Sequence, residues 1–436
     1  MNSGTLLPGV VWIKREWNFR QNPFPSTGIA RVGGIDDREN GLLYEPEIHA
    51  DQLREVIEKF VLGMSFSGLK FGYLWSAGVL PHDSDARGFG KSVLMQHLTR
   101  RINADLGRAV YEEVGLDASD AEEVPICSLF TSFDTVHVRS LGAALFAAVE
   151  YAVKFRAEEA PTLAGQLRTR LAERIGDSDV KALTKAVADS HRAVRGRTLG
   201  PPDDKLIVAL CDEEPHAAAD YLTKVSPISR SRNGAVHMAT FLVFAAAAGI
   251  KHVLLCCDQL EDLASTTTAK AKRDLEVARF RDVIVETLPM ADMVTLIATM
   301  HPRASLAMKN AWVLADLPSF DLTPGNRFST VELPPLHDAA QAAQLLKRYL
   351  AAAATESRQR DDLHPFTDDA VARLFERSAR KPRDVLRTAH NVLVAASGQN
   401  LSSITGSDVE SILALPGQQS AEAQNEIPGT LDWSRG

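Results

Sequence analysis

Eight consecutive residues carry the most specific chemistry in the chain: Asp85-Ala-Arg-Gly-Phe-Gly-Lys-Ser92. Gly88 and Gly90 let backbone N–H groups turn inward, and a helix starting beside them adds the partial positive charge of its N-terminus. A lysine at position 91 can reach the β- and γ-phosphates of a nucleotide, and Ser92 offers a hydroxyl to Mg²⁺. Arg87, Gly88, Phe89, Gly90, Lys91, Ser92 and Val93 therefore form the predicted phosphate cradle. The loop departs from GxxxxGK[ST], because Asp85 stands where that pattern has its first glycine and the stretch from Gly78 to Asp85 is long and polar. A glycine-rich turn with an incidental lysine is the alternative. The strand before it and the helix after it favour the cradle.

The second chemical feature is a carboxylate. His252-Val-Leu-Leu-Cys-Cys-Asp258 is an apolar run ending in an acid, which suits a buried strand whose tip holds the water shell of Mg²⁺. An Asp that merely caps the next helix has the same pattern. Gln259 follows, and an amide cannot act as a base; Glu261 or Asp262, further along, is the candidate base for activating water.

Several elements must position these groups. Phe71 to Ala77 is a short apolar run suited to a buried parallel strand, followed by helical spacing from Ser92 to Ile102. Further strands are predicted over Val124 to Ser132, Lys251 to Asp258 and Met293 to Met300. Helical patterns cover Asp51 to Leu62 and the stretch from about 137 to 200, where Leu163, Leu167, Leu171 and Ile175 recur every fourth residue. Met238 to Ile250 is apolar but too short to span a bilayer, so it reads as a buried helix ending near Gly249. Strands alternating with helices predict an α/β fold, a parallel sheet with helices on both faces.

From about residue 331 the pattern is helical only, with apolar faces over Asp338 to Ala353, Asp369 to Ser378 and Arg383 to Ala396. The predicted division is an N-terminal segment (1–66), a nucleotide-binding core (67–330) with a helical insertion at about 137–225, an all-helical lid (331–412) and a disordered tail (413–436). The 436 residues agree with about three units at roughly 150 residues each.

Composition excludes several classes. Hydrophobic residues at 45% and charged residues at 24% are globular values, which rules out a fibrous or wholly disordered chain. With 56 acidic against 48 basic residues the net charge is −8, so coating of nucleic acid by overall charge is excluded. Four cysteines without CxxC spacing read as reduced core thiols, and Met1 to Trp17 lacks the pattern of a signal peptide. The expected compartment is the cytoplasm, with no membrane partner.

The order of phosphate loop, Asp-ended strand, strand Val294-Thr-Leu-Ile-Ala-Thr-Met-His301 and helical unit containing Lys381-Pro-Arg-Asp-Val-Leu386 resembles the AAA+ ATPases. It looks most like the branch of replication initiators, origin-recognition subunits and related bacterial ATPases. The resemblance covers about 40 to 400, with low specificity between 103 and 225. It implies ATP and Mg²⁺ as ligands, and Thr299 or His301 as a polar sensor. Asn326-Arg327-Phe328 is similar to the box that gives a neighbouring subunit an arginine finger; a surface arginine at a loop-to-strand junction is the alternative for Arg327. Pro382-Arg383 resembles a second sensor that folds onto the γ-phosphate, although the basic run from Arg373 to Arg387 also suits a solvated face or a DNA-facing patch. Asn22-Pro-Phe24 is similar to segments preceding the adenine pocket. The implied activity is ATP hydrolysis, slow or partner-stimulated, coupled to oligomerisation and a DNA transaction such as replication, transposition or defence against phage. An ATP-gated scaffold with negligible hydrolysis is the alternative. Two departures stand out: the stretch between Lys91 and Asp258 is longer than a compact core uses, and no winged-helix segment follows the lid.

Overall fold

A computed structural model describes residues 8–27, 38, 42–61, 70–76, 87–113, 115, 124–133, 140–154, 161–194, 201–260, 274–276, 278–279, 293–299, 328–355 and 362–414. Its centre is a five-stranded sheet of β1 (Lys70–Ser76), β2 (Ile126–Ser132), β3 (His252–Asp258), β4 (Val294–Thr299) and β5 (Phe328–Leu333). The spatial order is β2-β3-β4-β1-β5, and every neighbouring pair is parallel. All five carboxyl ends therefore lie along one edge.

Consecutive residues of a strand point to opposite faces, so a strand covered on both sides is apolar throughout. β3 shows this directly. Val253, Leu255 and Cys257 join the core shared with the helices Leu141–Lys154 and Pro227–Ala247, with Leu145, Val149, Phe241 and Phe244 among their contributions. Leu254 and Cys256 join the opposite core, with Leu94, Leu98 and Ile102 of the helix Lys91–Asp105. Burying each such Leu or Phe stabilises the fold by roughly 1.5–3 kcal/mol. The helix at Leu141–Lys154, expected within the insertion, thus covers the sheet itself, and the helices Leu163–Ile175 and Asp204–Cys211 pack into the same core.

Pro227–Ala247 begins with a Ser226 side-chain cap and proline at its first position. It ends at Gly249, whose φ of 88° is the left-handed stop expected there. It crosses Leu141–Lys154 at two glycines; a Cβ on Gly234 would stand 1.6 Å from the Gly142 carbonyl oxygen. No helix among the described residues is long and apolar enough to cross a membrane.

The expectation of helix only beyond 331 needs correction. Phe328–Leu333 is a strand that straddles the expected boundary and pairs with β1 through Leu74↔Val331 and Ser76↔Leu333. Val331 and Leu333 are buried while Glu332 is exposed, the alternation of an edge strand, but six residues beside a long helical pattern give that period little room.

Beyond β5 lie the helices Ala339–Ala353, Asp368–Arg377, Pro382–Gly398 and Gly406–Leu413. Asp338 caps the first, and a reciprocal Thr405–Asp408 capping box starts the last. Their core contains Leu346, Leu374, Val385, Val392 and Val409, together with Trp17, Phe19 and Phe24 from near the N-terminus. Trp12 and Trp17 donate their indole N–H groups to the carbonyls of Leu401 and Ser402 at 2.8 and 3.2 Å. Residues 12–24, expected in a separate N-terminal segment, are thus tied to the lid. The tail was expected from residue 413, but Leu413 still belongs to the helix Gly406–Leu413; residues 415–436 lie outside the described residues.

Candidate functional site

The loop after β1 enters the helix Lys91–Asp105 through Gly88 and Gly90, at φ of 95° and 91°. Both angles are costly for residues with a Cβ. Gly90 occupies the N-cap position without a side-chain cap, so the first N–H groups of a 15-residue helix are left to another acceptor. Phe89, only 4% exposed, anchors the loop in the core beneath. Lys91 donates from Nζ to Ser76 Oγ, the last residue of β1, at 2.6 Å. Ser92 and Val93 follow in the first turn, half-buried, and Arg87 is exposed.

On the same edge, Asp258 ends β3 and is 3% exposed. Thr299, at the tip of neighbouring β4, donates its hydroxyl to Asp258 Oδ1 and accepts the Gln259 N–H at 2.9 Å. Leu260 N–H reaches the Thr299 carbonyl at 2.9 Å, and Gln259 is left-handed at φ 56°. One threonine therefore fixes both the carboxylate and the turn leaving it. Only β4 separates β3 from β1, so two interstrand spacings place their tips about 10 Å apart. Ligands of open parallel sheets bind outside the carboxyl ends of the strands.

The lid touches this loop directly. Arg383 donates its backbone N–H to the Gly88 carbonyl at 3.2 Å, and a Cβ on Gly88 would lie 3.1 Å from the Arg383 Cβ. Arg383 Nε donates to the Thr27 carbonyl at 3.3 Å. Nearby, His390 Nδ1 stands 2.8 Å from the Phe24 carbonyl and Asn22 Nδ2 donates to the His390 carbonyl at 3.4 Å. The Asn22-Pro-Phe24 segment thus runs along the lid helix that Pro382 opens.

The structure brings together Arg87 to Val93, Asp258, Thr299 and Arg383. Glu261, Arg327, Asp262, His301 and Asn326 lie outside the described residues. Three neighbours had been given no role at the site from the sequence. Ser76 was legible only as a polar end to an apolar run. Lys381 was hidden in a basic run. His49, buried beside Gly90 with Nε2 3.3 Å from the Pro334 carbonyl, has its pKa pushed down to about 4 by burial and is neutral at pH 7.

The donor set suits a hydrated magnesium ion. No group of three or more His, Cys, Asp or Glu side chains gathers for a metal among the described residues. One carboxylate and one hydroxyl, Asp258 and Ser92, match an ion that keeps water and phosphate oxygens as its other ligands. The cysteines take no part. All four are buried, and burial pushes Cys127 up to about 12 and Cys211 and Cys256 to about 11.

Fold and site together define an α/β protein with a glycine loop, lysine and acidic strand tip at one sheet edge, and a C-terminal helical unit that touches the loop at Gly88. The sequence matches no protein-family model and no curated protein. Among solved structures the chain is similar to the ORC2 protein of Aeropyrum pernix. With that protein's ADPNP–ADP complexes the identity is 11% and the TM-score 0.39, over 91% of this chain and 72% of that one. With its ADP form the identity is 11% and the TM-score 0.40, over 91% and 73%. Likenesses this distant transfer no residue's role.

Proposed function

We propose that this chain is an ATP-binding protein of the AAA+ kind, holding ATP and Mg²⁺ between the sheet edge and the lid. The observation that carries this is the convergence of Lys91 on the β1 tip, Asp258 held by Thr299, and the lid's Arg383 seated on Gly88. Arg87 to Val93 hold the phosphates through loop N–H groups and the Lys91 charge, while Ser92 and Asp258 hold the metal. When bound, the metal supplies charge stabilisation at phosphate oxygens. Thr299 keeps the carboxylate oriented, and Phe89 keeps the loop in place. Arg383 ties lid to loop, so a change in the loop alters lid position.

Glu261 serves as base, and Arg327 of a neighbouring copy completes the site as an arginine finger. The output is a conformational change passed to an oligomer of this chain or to a partner protein, in a DNA transaction or in defence against phage. The net charge of −8 favours contact with DNA through the partner.

Gln259 favours a second reading, an ATP-gated assembly scaffold. Its amide cannot act as a base, and its backbone is fixed on Thr299. ATP turnover with and without double-stranded DNA, beside a sizing measurement in ATP, separates the two. Stimulated turnover supports the ATPase, tight binding without turnover supports the scaffold, and absence of nucleotide binding overturns both.

A further inference from the structure

The helix Lys91–Asp105, which starts at the phosphate loop, meets the sheet through more than its apolar face. Thr99 and Ser128 are both fully buried, and their hydroxyl oxygens stand 2.9 Å apart. Ser128 Oγ donates its hydrogen to the Leu254 carbonyl at 3.2 Å, so Thr99 is the donor to Ser128. The same Ser128 oxygen lies 3.8 Å from the Sγ of Cys256, on the strand that ends in Asp258. One turn further along the helix, Asn103 Nδ2 donates to the Ser128 carbonyl and Asn103 Oδ1 accepts the Ser128 N–H, each at 2.8 Å. β2 is an edge strand, and the Asn103 amide bonds its open side as a neighbouring strand would.

The lengths on the two sides of this pin agree. Lys91 to Thr99 spans about 12 Å of helix. Ser128 to Ser132, which pairs with Asp258, spans about 13 Å of strand. A helix pinned to β2 at Thr99 therefore carries its first turn, with Lys91 and Ser92, to the level of Asp258. By alternation Asp258 shares the face of Leu254 and Cys256, the face that this helix covers. Apolar burial is non-directional, so Leu94, Leu98 and Ile102 alone set the helix's height along the strands less sharply than hydrogen bonds do. Magnesium demands near-octahedral oxygens at about 2.0–2.1 Å and tolerates little slippage between them.

We propose that the Thr99–Ser128 hydroxyl pair is a positioning device, holding the phosphate helix at the height on β2 and β3 where Ser92 and Asp258 share one magnesium ion. This rests on the nucleotide reading of the loop and adds what sets the spacing of its two metal-holding groups. A pair that only stabilised the fold would affect nucleotide binding equally with and without the metal.

Titration of the full chain with ATP, in Mg²⁺ and in EDTA, tests it on wild type, the double variant Thr99→Val/Ser128→Ala, and Thr99→Ser. The double variant removes both hydroxyls together and leaves neither without its partner; Thr99→Val alone replaces it if the double variant does not fold. The expected result is a loss of about tenfold or more in ATP affinity with Mg²⁺ against about twofold or less in EDTA, with Thr99→Ser behaving as wild type. An equal gain in affinity on adding Mg²⁺ in the double variant and in wild type overturns the positioning role and leaves the site reading intact. A wild type that binds no ATP, or binds it no better with Mg²⁺, overturns the site reading and this role with it.

Discussion

The Thr299 hydroxyl donates to the Asp258 carboxylate while its oxygen accepts the Gln259 N–H, so the tips of β3 and β4 are fastened by one side chain. Thr299→Val removes both bonds at a site where Asp258 and Thr299 are each 3% exposed. The expected loss is about 1–3 kcal/mol, read as a lower urea midpoint with unchanged slope. Thr299→Ser keeps most of the stability. Equal stability of valine and wild type would show that the hydroxyl does not fasten the edge.

Gly88 is held at φ 95° against Arg383. Alanine there costs about 1–2 kcal/mol from backbone strain alone and pushes the lid from the loop. Lower stability together with faster proteolysis between core and lid is expected. Wild-type behaviour would show that the lid does not depend on this contact.

The crossing of Leu141–Lys154 and Pro227–Ala247 tolerates no side chain at Gly234, because the added carbon meets backbone. Gly234→Ala should destabilise by about 3 kcal/mol or more, seen in thermal or urea unfolding, and Gly398→Ala should not, since a Cβ there meets nothing within 4 Å.

His49 and His97 both have their pKa lowered to about 4, chiefly by burial, with Arg101, Arg100 and Arg348 adding to the effect at His97. Below pH 6.5 the unfolded chain takes up protons that the folded chain refuses. Stability is therefore complete above pH 6.5 and falls as pH drops from 6.5 to about 4, by roughly 3 kcal/mol for each histidine. His97→Phe, which keeps a ring against Tyr44, should flatten that acid limb. An unchanged slope in urea midpoints between pH 7.5 and 5 would contradict the assignment.

The parts of the site written in consecutive residues were legible beforehand. Gly88 to Ser92 and the Asp-ended run of β3 announce their chemistry because one short segment contains both the shape and the reactive group. Contacts between distant segments were not. Nothing local says that Arg383 will rest on Gly88, that its Nε will find Thr27, or that Lys381 will share Phe89 with Lys91. Trp17, Phe19 and Phe24 likewise gave no sign of joining the lid, since an apolar residue declares that it is buried without declaring against what. Thr299 was expected at a strand tip as a sensor; its hydrogen bond to Asp258 joins two segments far apart in the chain and had no local signal.

The most direct test of the central claim is calorimetric titration of ATP with Mg²⁺ into wild type and Lys91→Ala, after both are shown to be folded by their melting profiles. Saturable one-site binding by wild type and its loss in Lys91→Ala is the predicted result. The same affinity in both proteins would contradict it, and with it the phosphate site at the edge of the sheet.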